Sequence, residues 1–255
     1  MTFTIQNFEL FLLILVRITG FIYTAPFFSL KNMPTHVKTG LSIFLAVIMF
    51  YTAPTDTLEY VGVIGYAMLV VAEAILGLVM GFFANIAYYI VSFAGNIIDM
   101  EIGFSMVNEL DPITMIQTTI TSNLYGYLVL LMMMITNLHH YFLKAIIDSF
   151  QVIKIGEVVL NPGIYQLMVR FITNYFVIGF RIVLPIFASI LVVNTILAIL
   201  AKVAPHMNMF VIGMQLKLIV GLLVLTMIIE LIPSVADFIF REMITMLKGA
   251  IEYMS

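Results

Sequence analysis

The chain has 255 residues, of which 63% are hydrophobic and 10% charged, and its mean hydropathy is +1.14. Ordinary soluble domains carry about 25% charged residues and bury only part of their apolar surface, so a soluble enzyme, a nucleic-acid binder and a disordered chain are excluded. The 11 basic and 14 acidic residues leave a net charge of −3 with no polybasic footprint, and the absence of cysteine removes disulfides, thiolate metal sites and a cysteine nucleophile.

This composition predicts an all-α, polytopic membrane protein, because hydrocarbon offers no partner to an unpaired backbone group. The apolar runs are long and continuous, unlike the short alternating strands of a β-barrel. Residues 1–7 lack a basic n-region and no small-residue cleavage site follows, so no cleavable signal peptide is expected. Against a span length of roughly 20 residues, six apolar blocks stand out. The first covers Phe8 to Phe28. The second, Gly40 to Ala53, is short for a span. The third, Val61 to Ile98, is nearly twice the needed length and reads as one long helix, a kinked helix or two packed halves. Within it Gly77 and Gly81 form a GxxxG pair, which points to close helix packing. The fourth block runs from Ile113 to Asn137, the fifth from Val169 to Ala201 and the sixth from Met207 to Ile232, with an amphipathic tail after Pro233.

The connections hold most of the charge. Lys31 to Lys38 is short and basic, 55–59 is acidic, and Asp99 to Asp111 holds four acids and no base. The excess of Lys assigns the Lys31–Lys38 and Lys202 loops to the cytoplasm and, if each block crosses once, both termini to the outside. Pro205 cannot continue a helix, so Lys202, Pro205, His206, Asn208 and Phe210 mark the turn of an antiparallel hairpin. Five charges lie inside apolar blocks: Arg17, Glu73, Arg181, Lys217 and Glu230. Each is costly against hydrocarbon, so each should face protein or water, either as a structural pair between helices or subunits or as part of a proton or ion relay. Lys217 has no acid in register across the hairpin and is expected to pair with an acid or carbonyl of another element or subunit.

Gly103 to Pro112 mixes Phe104, Met106 and Val107 with Glu109 and Asp111. Gly103 permits a left-handed turn, and Pro112 can start the fourth block with Asp111 capping its free amides. HExxH, GxSxG and phosphate-loop motifs are missing, so catalytic residues, metal ligands and cofactors are not expected. His139 and His140 are adjacent, and their side chains should diverge by about 100° on a helix.

The remaining residues resemble one family. Pro185, Asn194, Pro205, Asn208, Phe210, Gly213 and Lys217 are similar to the carboxyl-terminal signature of the FliR family of flagellar and type III secretion export-gate proteins. Arg17, Pro26 and Pro34 resemble that family's amino-terminal block, and Glu73, Gly77 and Gly81 its E-x-x-x-G-x-x-x-G helix. Gly95, Asp99, Gly103, Asp111 and Pro112 resemble its G…G…DP loop, and His139, His140 and Ser149 its HH…S segment. One departure follows: Lys154-Ile155-Gly156 stands where the family usually has Pro-x-Gly. The resemblance implies a non-catalytic membrane subunit that packs with FliP- and FliQ-like partners, and with an FlhB-like subunit, into a helical core in the plasma membrane through which unfolded substrates pass. It implies a FliP-like part over residues 1–165 and a FliQ-like hairpin over 166–255. It further implies that the loop at about 99–112 plugs the pore, with Gly103, Phe104, Ser105, Met106, Val107, Asn108, Glu109, Leu110, Asp111 and Pro112 as its residues. An ion-coupled small-molecule transporter is the alternative from another class, and the virulence secretion subunit the alternative within the family.

Overall fold

A computed structural model describes residues 5–30, 33–52, 58, 60–104, 109–110, 117–159 and 161–255. The chain is almost entirely helical. In order it forms α1 (Ile5–Thr24), α2 (Thr35–Thr52), α3 (Gly62–Ile102), a short ladder of β1 (Glu109–Leu110) with β2 (Gln117–Thr118), α4 (Ile120–Ile135), α5 (Leu138–Val152), α6 (Ile164–Val203), α7 (Met209–Ile228) and α8 (Ile232–Tyr253). Five helical stretches are long and apolar enough to cross a membrane: α1, α2, α3, α6 and the run Met209–Tyr253. The pair α4 and α5, bent by 69°, makes a sixth.

Helix boundaries depart from the apolar blocks wherever a polar residue joins a helix. The second helix starts at Thr35, not near Gly40, because the Pro34 carbonyl accepts from the amides of Val37 and Lys38 at 3.0 and 3.3 Å. Lys38 therefore belongs to α2 and not to a loop. Its ammonium lies 5.9 Å from the centre of the Tyr23 ring, so a buried stem ends on an aromatic face. The long third block is a single helix of 41 residues. It extends through Asp99 to Ile102, so the first residues assigned to the loop are helical. The fourth block starts as a helix at Ile120, well after Pro112. Asp111 and Pro112 lie outside the described residues.

The chain packs as two units. The first combines Met1–Ala87, Met134–Phe171 and Phe240–Ser255. Its centre is apolar: Leu13, Ile14, Ile18, Phe21, Leu76, Met80, Phe142 and Ile146 are buried. In this unit α1 and α3 meet backbone to backbone. A Cβ on Gly77 would overlap the Arg17 carbonyl, one on Gly81 would overlap Thr24 Oγ1, and one on Gly20 would stand 3.2 Å from the Ala74 carbonyl. Asn137, with φ of 56°, turns the chain into α5. There His139 and His140 do not diverge, since their ring centres are 4.1 Å apart and Phe27 packs on His139 at 5.5 Å. The pair opens a new helix, whose first turn lets both rings settle on one side. The carboxyl-terminal turn closes the unit, with Val159 and Asn161 amides donating to the Met254 and Tyr253 carbonyls at 3.3 and 3.4 Å.

The second unit combines Tyr88–Met133 and Ile172–Ile239. Here α6 and α7 form an antiparallel hairpin. Leu197 meets Gly213 and Ile182 lines one cavity with Ile228, each pair being equally far from Pro205 along the chain. Asn208 caps α7 by accepting from the Val211 amide at 3.4 Å. A 3-10 turn at Ile229–Leu231 separates α7 from α8, because Pro233 lacks the amide that would continue the α ladder and fits only a first turn. The tail α8 is amphipathic: Ala236, Ile239, Phe240, Met243, Met246, Leu247 and Ala250 are buried at helical spacing.

Candidate functional site

The first unit holds a fully buried ion pair. Arg17 shares its face of α1 with Leu13, Ile14, Ile18 and Phe21, and Glu73 shares its face of α3 with Leu76, Gly77 and Met80. Neither Arg17 nor Glu73 is exposed to solvent. The contact is bidentate, with Arg17 Nε donating to Glu73 Oε2 at 2.5 Å and Nη2 to Oε1 at 3.0 Å. Arg17 Nη1 donates to the carbonyls of Ile153 at 3.1 Å and Ser149 at 3.3 Å, which end α5. A cation at a helix carboxyl end is where the peptide dipoles favour it. The guanidinium also lies 4.2 Å from the centre of the Phe150 ring. Glu73 Oε1 accepts a further bond, from the Gly156 amide at 2.9 Å. Gly156 has φ of +85°, so the left-handed glycine turn is present although Lys154 replaces the usual proline. These contacts tie α1, α3 and α5 together through one guanidinium that does not give up its proton. Sequence reasoning picked out the two charges but missed the backbone carbonyls and the Gly156 amide, which have no side-chain signature.

The other three charges are in the second unit and stand apart. Arg181 and Glu230 are exposed and Lys217 is half-buried. Among the described residues none of the three makes an ion pair. Arg181 lines an apolar groove of about 220 Å³ with Ile178, Ile182, Pro185 and Phe238. Lys217 lines a second hollow, about 350 Å³, together with Glu101, Gly103, Asn194, Phe210 and Gly213. The turn residues Lys202, Pro205, His206, Asn208 and Phe210 are all exposed.

The loop of 103–112 starts where α3 ends. Gly103 takes φ of +97°, and its amide donates to the Asp99 carbonyl at 3.0 Å. Glu109 and Leu110 then pair antiparallel with Thr118 and Gln117. Ser105 to Asn108, with Asp111 and Pro112, lie outside the described residues. The acid that serves the first turn of α4 is Asp99, not Asp111: the Thr121 amide donates to Asp99 Oδ2 at 2.8 Å, and the Thr121 hydroxyl donates to Oδ1. Thr121 and Ser122 at the head of an apolar run were the signal for this junction. The contribution of an acid 22 residues away was not.

Apolar helices of this length and number make the fold that of a multi-pass α-helical membrane protein. The family described as Bacterial export proteins, family 1, matches residues 8–243. Among curated proteins, the flagellar biosynthetic protein FliR of Bacillus subtilis is 32% identical, over 96% of this chain and 95% of its own. FliR of Escherichia coli is 28% identical over 93% and 90%, and FliR of Buchnera aphidicola subsp. Schizaphis graminum 31% over 87% and 88%. The chain belongs to the bacterial export proteins, family 1.

Proposed function

We propose that the chain is a non-catalytic subunit of the flagellar type III protein export gate in the bacterial plasma membrane. It assembles with FliP- and FliQ-like subunits, and with an FlhB-like subunit, around the path of unfolded flagellar substrates. The observation that carries this reading is the likeness to FliR proteins along almost the whole length of both chains. Those relatives are flagellar, which favours the flagellar system over its virulence counterpart. Physical support comes from the surface of α6 and α7. Phe180, Leu184, Leu191, Leu222 and Leu223 are exposed there beside Arg181 and Lys217, and unpaired charges among apolar side chains call for protein neighbours. In this reading residues 1–165 are the FliP-like part and 166–255 the FliQ-like hairpin. Residues 103–112 are the plug, since Phe and Met can seal a path and later repack around a moving chain.

Deleting the gene in its own bacterium tests the assignment. Export of hook and filament proteins should be lost and return on complementation, and a mutant exporting at the parental level overturns it. The plug is tested separately by removing residues 105–109. The complex should assemble as before, and ion leak through reconstituted resting complexes should rise. An unchanged leak sinks the plug.

A further inference from the structure

Residues 103–119 leave α3 and return to α4, so both ends of that segment meet at one junction within the second unit. The junction is closely built. Gly95 brings α3 against α4 with no side chain between them, for a Cβ there would overlap the Ser122 backbone. One turn further along α3, Asp99 binds both the amide and the hydroxyl of Thr121. At the outer edge the Thr119 hydroxyl donates to Asn96 Oδ1 at 3.0 Å. The β1–β2 ladder adds backbone pairing a few residues further out.

Asp99 is fully buried, with Thr121 at 1% and Ser122 at 7% exposure. A buried carboxylate is costly unless it is compensated. Among the described residues no cation pairs with it. Its compensation is the Thr121 pair and the partial positive charge at the start of α4. A helix start does not need this arrangement. A local Ser or Thr satisfies the same amides with less desolvation, and Thr119 already precedes the first residue of α4. What a local cap cannot do is tie α4 to another helix. The placement of the acid on α3 makes that tie its distinguishing effect.

We infer that Asp99 is a positioning residue of the export channel: a clasp with Thr121 that closes the base of the 103–119 segment and sets how firmly the resting plug is held. This rests on the plug reading above and adds a device that regulates it. Asp99 touches no substrate; it acts through the two chain ends that it joins.

The test measures ion leak through reconstituted complexes containing the full chain, alongside the yield of co-purified partners. Asp99→Asn removes the charge and places an amide donor where Thr121 donates. It should raise the open population, and so the leak, roughly 10- to 100-fold, the factor for losing one hydrogen bond to a charged group. Partner yield should stay unchanged. Thr121→Val should leak less than Asp99→Asn, Thr121→Ser should stay tight, and the double variant Asp99→Asn/Thr121→Val should leak no more than Asp99→Asn. The chain has no cysteine, so Asn96→Cys with Thr119→Cys can be bridged by a short bifunctional thiol reagent as an independent clasp. Bridging should restore tightness in the Asp99→Asn background. If Asp99→Asn stays at parental leak while the chain lacking 105–109 leaks, the clasp is overturned and the plug stands. If neither variant leaks, the plug reading fails and takes the clasp with it. Should Asp99→Asn prevent assembly, Thr121→Val decides: a leak abolished by the bridge supports the clasp, and no leak or a bridge-insensitive leak overturns it.

Discussion

Replacing Glu73 by Ala should be among the most damaging single changes in the first unit. It leaves the Arg17 guanidinium buried, with two of its donors facing a void and the Gly156 amide without its acceptor. Removing one partner of a buried ion pair costs about 3–5 kcal/mol. Removing Arg17 instead leaves Glu73 uncompensated and should cost a similar amount, so independent effects would total roughly 6–10 kcal/mol. The double variant Arg17→Leu/Glu73→Leu removes both charges. It strands only the Ile153 carbonyl and the Gly156 amide, because the Ser149 carbonyl keeps its bond from the Ile153 amide at 2.9 Å. Two stranded backbone groups cost about 2–6 kcal/mol together. The double should therefore be no worse than either single. The exchange Arg17→Glu/Glu73→Arg should fail to rescue, because a carboxylate would then face the Ile153 carbonyl and a guanidinium the Gly156 amide. Thermal challenge of the detergent-extracted complex, read by size exclusion, reports these differences at roughly 2–4 °C per kcal/mol. Additive losses in the double variant, or full rescue by the exchange, would refute the idea that α5 and its following turn take part in the clamp.

Glycine replacements should divide by what the new methyl meets. Gly77→Ala and Gly81→Ala press on the carbonyls of Arg17 and Phe21, cannot be relieved by rotating a side chain, and should lower the melting point of the complex by several degrees, corresponding to about 1–3 kcal/mol each. Gly249→Ala meets only the end of the Leu167 side chain at 3.1 Å and gains helix propensity, so its melting point should be unchanged or higher. Lys217→Glu should reduce export more than Lys217→Ala, because the new acid shares a hollow with Glu101; equal effects in a secretion assay would remove electrostatics from the account. Purified without partners, the chain should aggregate on size exclusion, and a monodisperse, heat-stable monomer would count against the need for neighbours.

The helices were legible because their apolar residues are dense and continuous; their ends were less so. Gly65, Gly77 and Gly81 read equally well as bends and as contacts, and only the approach of α1 shows that they are contacts. Lys38 and Asp99 were assigned to loops for their charge, yet both complete helices, one over a tyrosine ring and the other on a neighbouring helix end. The bend at Asn137 has no proline or glycine to announce it, and α5 was therefore not separated from the fourth block. Arg17 and Glu73 were visible as misfits, since a charge amid apolar residues is conspicuous. Their remaining partners were invisible because backbone carbonyls and amides occur at every position. Whatever turns on pairing across long sequence distances, as Asp99 with Thr121 does, is absent from periodicity and appears only with the fold.

The first unit draws its last strip of core from Phe240–Ser255, while the second is made wholly of interior segments. During synthesis these two orders of completion differ. A ribosome that has released residue 239 has supplied everything the second unit needs, but the first unit, though begun by the earliest helix, still lacks Met243, Met246, Leu247 and Ala250 from its core. Its earliest residues must wait in the membrane for the latest ones. Any transcript cut short before this strip yields a chain whose amino-terminal helices never find their cover, so the closing turns of α8 act as a seal that distinguishes finished from unfinished protein.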